Sequence, residues 1–160
     1  MKPFERVLVP VDFAPHSAEA VRVACDVASH YSASITLVHV HEPVDYALPE
    51  GYVLYTPDQL SRITAELESR LSATQRDVED LGVTRVDRRL LQGAAAVEIV
   101  ELARSAAFDL IVMGTHGRTG LKHVLMGSVA ERVLRTAPCP VLTVKASETA
   151  KAKDSVRVGA

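Results

Sequence analysis

The chain has 160 residues, the size of one domain, and its 48% hydrophobic and 24% charged residues place it among globular proteins rather than disordered or low-complexity chains. A net charge of -2 supplies no general attraction for nucleic acid, and 4% aromatic residues with no Trp make no base-stacking platform. No apolar run reaches the roughly 18–20 residues of a membrane span, and Glu5 and Asp12 interrupt any signal-peptide core, so a cytoplasmic protein is expected. The first element is the Val-rich run Phe4–Asp12, FERVLVPVD, patterned as a strand buried on both faces. A helix follows over Ser17–Tyr31, with Ser17 as N-cap and Ala20, Val21, Ala24, Val27 and Ala28 on one face. Ser34–His41, SITLVHVH, is a second apolar strand. Glu42–Tyr55 has no period and carries Pro43, Pro49 and Gly51, so a loop is expected there.

Thr56-Pro57-Asp58-Gln59 announces the next helix, with an N-cap Thr, Pro at the first helical position and Gln at the capping-box position; Gly82 ends it. Val83–Leu91 reads as a third strand whose charge suits a sheet edge. Ala94–Ala107 is a helix, Phe108–Met113 a fourth strand, Ser128–Thr136 a short helix and Pro140–Val144 a fifth strand. The stretch from Ala146 to Ala160 has no apolar period and reads as a flexible tail to a single domain over 1–146. The alternation β-α-β-α-β-α-β-α-β predicts an α/β fold with a parallel sheet and helices on both faces. Cys25 and Cys139 are far apart, lack CxxC spacing, and read as small buried hydrophobes in a reducing compartment.

In open α/β sheets ligands bind beyond the carboxyl ends of the strands, where the strand order reverses. The residues there are Pro10-Val11-Asp12, Val40-His41, Met113-Gly114 and the loop MGTHGRTGLKHVLMGSVAERV. In that loop Gly114, Gly117 and Gly120 recur at every third position, and Gly127-Ser128 opens the last helix. Glycine permits close backbone approach to a ligand, and a helix start offers unpaired N–H groups and a positive dipole end. With the Ser128 hydroxyl and the charges of Arg118 and Lys122 these features describe a phosphate cradle. It is neither a Walker A loop nor the Rossmann GxGxxG.

Gly114-x2-Gly117-x9-Gly127-Ser128 is similar to the G-2x-G-9x-G-(S/T) pattern of the nucleotide-binding branch of the universal stress protein family. VLVPVDF, ITLVHV, DLIVMGTHGRTG and CPVLTVK also resemble that family, so the likeness spans residues 3–145. The resemblance implies an open five-stranded parallel sheet of order 3-2-1-4-5, a homodimer through strand 140–144, and ATP bound with Mg²⁺ or Mn²⁺ between the ends of strands one and four. It implies that Pro10, Val11 and Asp12 line the adenosine side and that the Val40 main chain meets the adenine. Met113 and Gly114 would border the ribose and first phosphate, while Gly117, Arg118, Gly127, Ser128 and Val129 would surround the phosphates. Ala14 stands where the family often has Ser or Thr, which removes one hydroxyl contact.

Asp12 reads either as a turn residue or as a carboxylate near the ligand. His39 and His41 share one strand face with no third metal ligand in view, which favours packing or hydrogen bonding. His116 and His123 lie in the phosphate loop and read as phosphate contacts, as proton-transfer groups or, most commonly for a loop histidine, as solvated side chains. No nucleophile elbow and no Ser-His-Asp order appear. The functional expectation is a nucleotide-dependent regulator of the stress response that acts on an unidentified protein partner and hydrolyses ATP slowly at most. The alternatives are an ATP-pyrophosphatase-like enzyme, which would carry SGGxDS where this chain has VDFAPHS, and a structural dimer that binds no nucleotide.

Overall fold

A computed structural model of the chain describes residues 3–42, 46–48, 51–53, 56–115 and 126–145. The elements run β1 (Arg6–Pro10), α1 (Pro15–Tyr31), β2 (Ser34–His41), β3 (Tyr46–Leu48), β4 (Gly51–Val53), α2 (Pro57–Asp80), β5 (Val86–Gln92), α3 (Ala95–Ser105), β6 (Leu110–Gly114), α4 (Ser128–Thr136) and β7 (Val141–Val144). Five strands form one sheet in the order β5-β2-β1-β6-β7, all parallel, which is the expected 3-2-1-4-5 once the short β3 and β4 are set aside.

Side-chain alternation along β1 divides the core between the two faces of the sheet. Val7 and Val9 pack with Ala20, Ala24 and Ala28 of α1 and Leu71 and Val78 of α2. Leu8 points the other way and packs with Ile99, Val100 and Ala103 of α3 and Ala130 and Val133 of α4. Val7, Leu8 and Val9 are fully buried, and each such side chain contributes roughly 1.5–3 kcal/mol by leaving water. Cys25 belongs to the first cluster, and burial pushes its thiol up to about 11, so it behaves as a hydrophobe. Cys139 is half-buried; burial raises its thiol as well. Both are free thiols.

At the edge, β5 exposes Asp87, Arg88 and Arg89, with Arg88 reaching Glu68 of α2 at 3.6 Å. Charges of this kind discourage another chain from pairing there. The α2 start forms as its sequence predicts: the Thr56 hydroxyl accepts the Gln59 N–H at 3.2 Å, and the Gln59 side chain accepts the Thr56 N–H at 2.9 Å. No described helix is long and apolar enough to cross a membrane.

Two expectations fail. Glu42–Tyr55 is not wholly a loop, because β3 and β4 pair antiparallel within it, Tyr46 opposite Val53 and Leu48 opposite Gly51. Strands of three residues are too short to display a period of two. Helix α1 begins at Pro15, with Ala14 as N-cap, rather than being capped by Ser17. Proline suits the first helical turn, where its missing N–H has no partner to lose. The Ser17 hydroxyl is buried and accepts the Asp12 N–H at 3.2 Å instead.

Candidate functional site

The order β5-β2-β1-β6-β7 reverses direction at β1 and β6, and a cleft of about 510 Å³ opens beyond the carboxyl ends of these strands. That volume suits a small-molecule ligand. Pro10, Val11 and Asp12 enter it from the end of β1, Val40 from β2, Met113 and Gly114 from β6, and Gly127, Ser128 and Val129 from the start of α4. These nine predicted site residues, distant in sequence, thus share one cavity. His116, Gly117 and Arg118 lie outside the described residues, as do Gly120, Lys122 and His123.

The β1 end is shaped by a tight turn. Asp12 Oδ1 accepts the Ala14 N–H at 3.0 Å, so the carboxylate is a turn residue and a cleft residue at once. Phe13 follows with φ of 63°, the left-handed region that a bulky side chain rarely occupies. Its ring lies 4.7 Å from the His39 ring, and the Arg70 guanidinium sits 4.3 Å over it. His39 is buried, and its Nδ1 donates to the Val11 carbonyl at 2.7 Å. Its role is therefore the hydrogen bonding expected of it.

The opposite wall is held by the backbone of one residue. The Thr115 N–H donates to the Val144 carbonyl at 2.9 Å, and the Thr115 carbonyl accepts the Gly127 N–H at 2.7 Å. The strand end and the α4 start are thereby tied together across the stretch that links them. The first α4 hydrogen bond runs from the Glu131 N–H to the Gly127 carbonyl at 3.0 Å. The N–H groups of Ser128, Val129 and Ala130 thus have no partner within the helix, and these residues line the cleft. An anion placed there meets those donors and the positive end of the helix dipole.

Gly114 has a structural reason of its own. A Cβ on it would meet the carbonyl carbon, Cβ and carbonyl oxygen of His16 at 3.0 Å. Glycine here lets α1 approach β6. Gly114→Ala is therefore expected to cost about 1–3 kcal/mol of folding stability by overpacking, read as a lower urea midpoint.

Sequence reasoning missed Ser17, Glu42 and Thr115 as cleft residues. In the sequence Ser17 reads as a cap and Glu42 as part of a loop. Glu42 Oε1 accepts the Ala95 N–H at 2.9 Å and so caps α3 from across the cleft mouth. No local pattern signals such a long-range cap. A smaller cavity of about 260 Å³ lies at the other end of the sheet, where the Arg85 guanidinium is committed to the Ser32 carbonyl.

The universal stress protein family model matches residues 3–145. The chain belongs to that family. A universal stress protein of Methanocaldococcus jannaschii is 37% identical over 144 residues, covering 89% of this chain and 82% of the relative. One from Thermus aquaticus is 34% identical, covering 89% and 99%. The solved structure of another Methanocaldococcus jannaschii member, 27% identical, superposes with a TM-score of 0.80 over 92% of this chain and 99% of that one. A universal stress protein crystallised in complex with cAMP, 25% identical, gives 0.70 over 91% and 100%. The cleft of this family member thus stands at the switch point of a sheet that its relatives share.

Proposed function

We propose that this universal stress protein binds ATP in the cleft, accompanied by Mg²⁺ or Mn²⁺, and acts in the cytoplasm as a nucleotide-dependent regulator of the stress response. The observation that carries the reading is the convergence of two recognition surfaces in one cavity of about 510 Å³. At one end is the main-chain edge of Val40, and at the other the start of α4 at Gly127-Ser128. A base at the first and phosphates at the second would share the cavity. The Gly114, Gly117, Gly127, Ser128 spacing supports the same reading, as does the relative crystallised with cAMP, another adenine nucleotide.

Among the described residues no group of three or more His, Cys, Asp or Glu side chains could hold a metal ion. The residues present fit a cation carried on the phosphate oxygens, with Asp12 as the nearby carboxylate. Such a cation supplies charge neutralisation for the phosphates. Rapid phosphoryl transfer requires a positioned base or water-orienting group as well as clamped metals. Asp12 already spends one oxygen on the Ala14 N–H. The reading is therefore of a binding protein with slow hydrolysis at most, and VDFAPHS at the β1 end argues against the ATP-pyrophosphatase class. We further propose a homodimer through β7.

Mass spectrometry of ligand released from freshly purified protein is expected to find an adenine nucleotide. In competition, ATP is expected to outbind GTP by about tenfold or more, because the wrong base leaves polar groups unpaired at roughly 1–3 kcal/mol. A protein that is empty and binds neither nucleotide would overturn the reading.

A further inference from the structure

We propose that His39 is a positioning residue for the base: by taking the Val11 carbonyl it leaves the Val40 peptide edge turned toward the cleft, and so sets the preference for adenine. The inference rests on the nucleotide-binding reading above and assigns to one side chain the origin of its selectivity.

Successive residues of a strand turn their N–H and C=O to alternate neighbours. In β2 the Val38 carbonyl accepts the Val11 N–H at 2.8 Å, toward β1, and the His41 carbonyl accepts the Gly93 N–H at 3.1 Å, on the β5 side. Val40 therefore turns its N–H and C=O to the β1 side, where β1 has already ended at Pro10. A parallel ladder continued by one more step would give the Val40 N–H the Val11 carbonyl. That carbonyl accepts instead from His39 Nδ1 at 2.7 Å, in a buried bond. A carbonyl only accepts, so Nδ1 carries the proton and the ring is held in one orientation. The imidazole thus ends the ladder in place of a backbone amide.

The chain around this bond is built to keep it. Past Val11, the Asp12 side chain closes a turn on the Ala14 N–H, and Phe13 adopts φ of 63°. The Phe13 ring lies tilted at 36° against the imidazole, with the Arg70 guanidinium over the Phe13 ring. A bulky residue keeps such a backbone conformation only where its surroundings hold it, and here the stack of His39, Phe13 and Arg70 does so. The Val40 edge then presents a donor beside an acceptor. Adenine offers an acceptor at N1 and a donor at N6 and matches it. Guanine offers a donor at N1 and an acceptor at O6 and opposes it.

Two measurements test the inference. In nucleotide-free wild type, NMR hydrogen exchange should show the Val40 amide exchanging at least about tenfold faster than Val38, which lies inside the β1–β2 ladder. In His39→Phe the Val40 N–H regains the Val11 carbonyl and its exchange should slow. The ATP-to-GTP affinity ratio, about tenfold or more in wild type, should fall toward one in His39→Phe. It should persist in His39→Asn, whose amide nitrogen stands where Nδ1 does. If His39→Phe does not fold, His39→Gln, whose amide nitrogen stands where Nε2 does, carries the same expected loss. A wild-type Val40 amide as protected as Val38 overturns the inference whatever the nucleotide result. An unchanged base ratio in His39→Phe or His39→Gln overturns it also. A rapidly exchanging Val40 in a protein that binds no nucleotide overturns the nucleotide reading first, and the role assigned to His39 with it.

Discussion

Gly127→Val is expected to weaken ATP binding by about tenfold or more, equivalent to roughly 1.4 kcal/mol or greater, while leaving the fold intact. Gly127 is the N-cap of α4, with φ of -71° and ψ of 151°, a conformation open to any residue. Its side chain would therefore strain nothing in the backbone. It would instead add branched carbons to a cleft-lining position next to the Ser128, Val129 and Ala130 N–H groups that phosphate must approach. The loss of glycine as cap should cost under about 1 kcal/mol. Calorimetric titration with ATP, paired with urea unfolding, separates the two effects. Unchanged affinity would show that phosphate does not sit at the α4 start. The contrast with Gly114→Ala is informative, since that change clashes with His16 behind the cleft and should register first as lost stability.

Replacement of Leu142 by Lys is expected to convert a dimer into a monomer. The sheet order leaves β7 at an edge. The carbonyls of Pro140 and Val144 accept from Ile111 and Thr115, so alternation turns the N–H and C=O of Val141 and Thr143 outward along the free edge. Leu142 between them is an apolar side chain left 39% exposed. An edge so composed and free of charge is a template for a second chain, and a two-fold copy of itself closes the contact. The other edge shows the opposite composition, with Asp87, Arg88 and Arg89 exposed on β5. Sedimentation of the wild type at micromolar concentration should give about twice 17.3 kDa, and the Leu142→Lys protein 17.3 kDa. A monomeric wild type would show that the edge is covered in some other way, for example by residues after Lys145.

Thr115 connects both of these sites. The Thr115 N–H bonds the end of β7 at Val144, and the Thr115 carbonyl accepts from the start of α4 at Gly127. Displacement of the α4 start by a bound anion would therefore load the same residue that secures the edge strand. The two substitutions above, measured crosswise, report whether the dimer affects ATP affinity and whether ATP affects the dimer. By linkage the two effects must be equal in free energy.

The amino-acid sequence by itself determined the five strands of the main sheet, the four helices and their order. Short Val- and Ile-rich runs alternate with helical patterns of ample length, and that alone requires a parallel sheet covered on both faces. The Thr56–Gln59 capping box and the Gly127-Ser128 helix start were legible because their signals are local. The glycine spacing singled out Gly114, Gly127 and Ser128, which the fold brings to one cleft, and resemblance to the family supplied the strand order that periodicity cannot. Tertiary structure alone decided the rest. Capture of the Val11 carbonyl by His39, the left-handed Phe13, the Glu42 cap on α3 and the His16 contact over Gly114 each join residues from different elements. Ser17 reads as a cap until Pro15 is seen to start the helix, and β3 and β4 are too short to carry a pattern. Local propensity sees neighbours along the chain, whereas these features depend on which groups the fold brings together and on which hydrogen-bonding partners it leaves over.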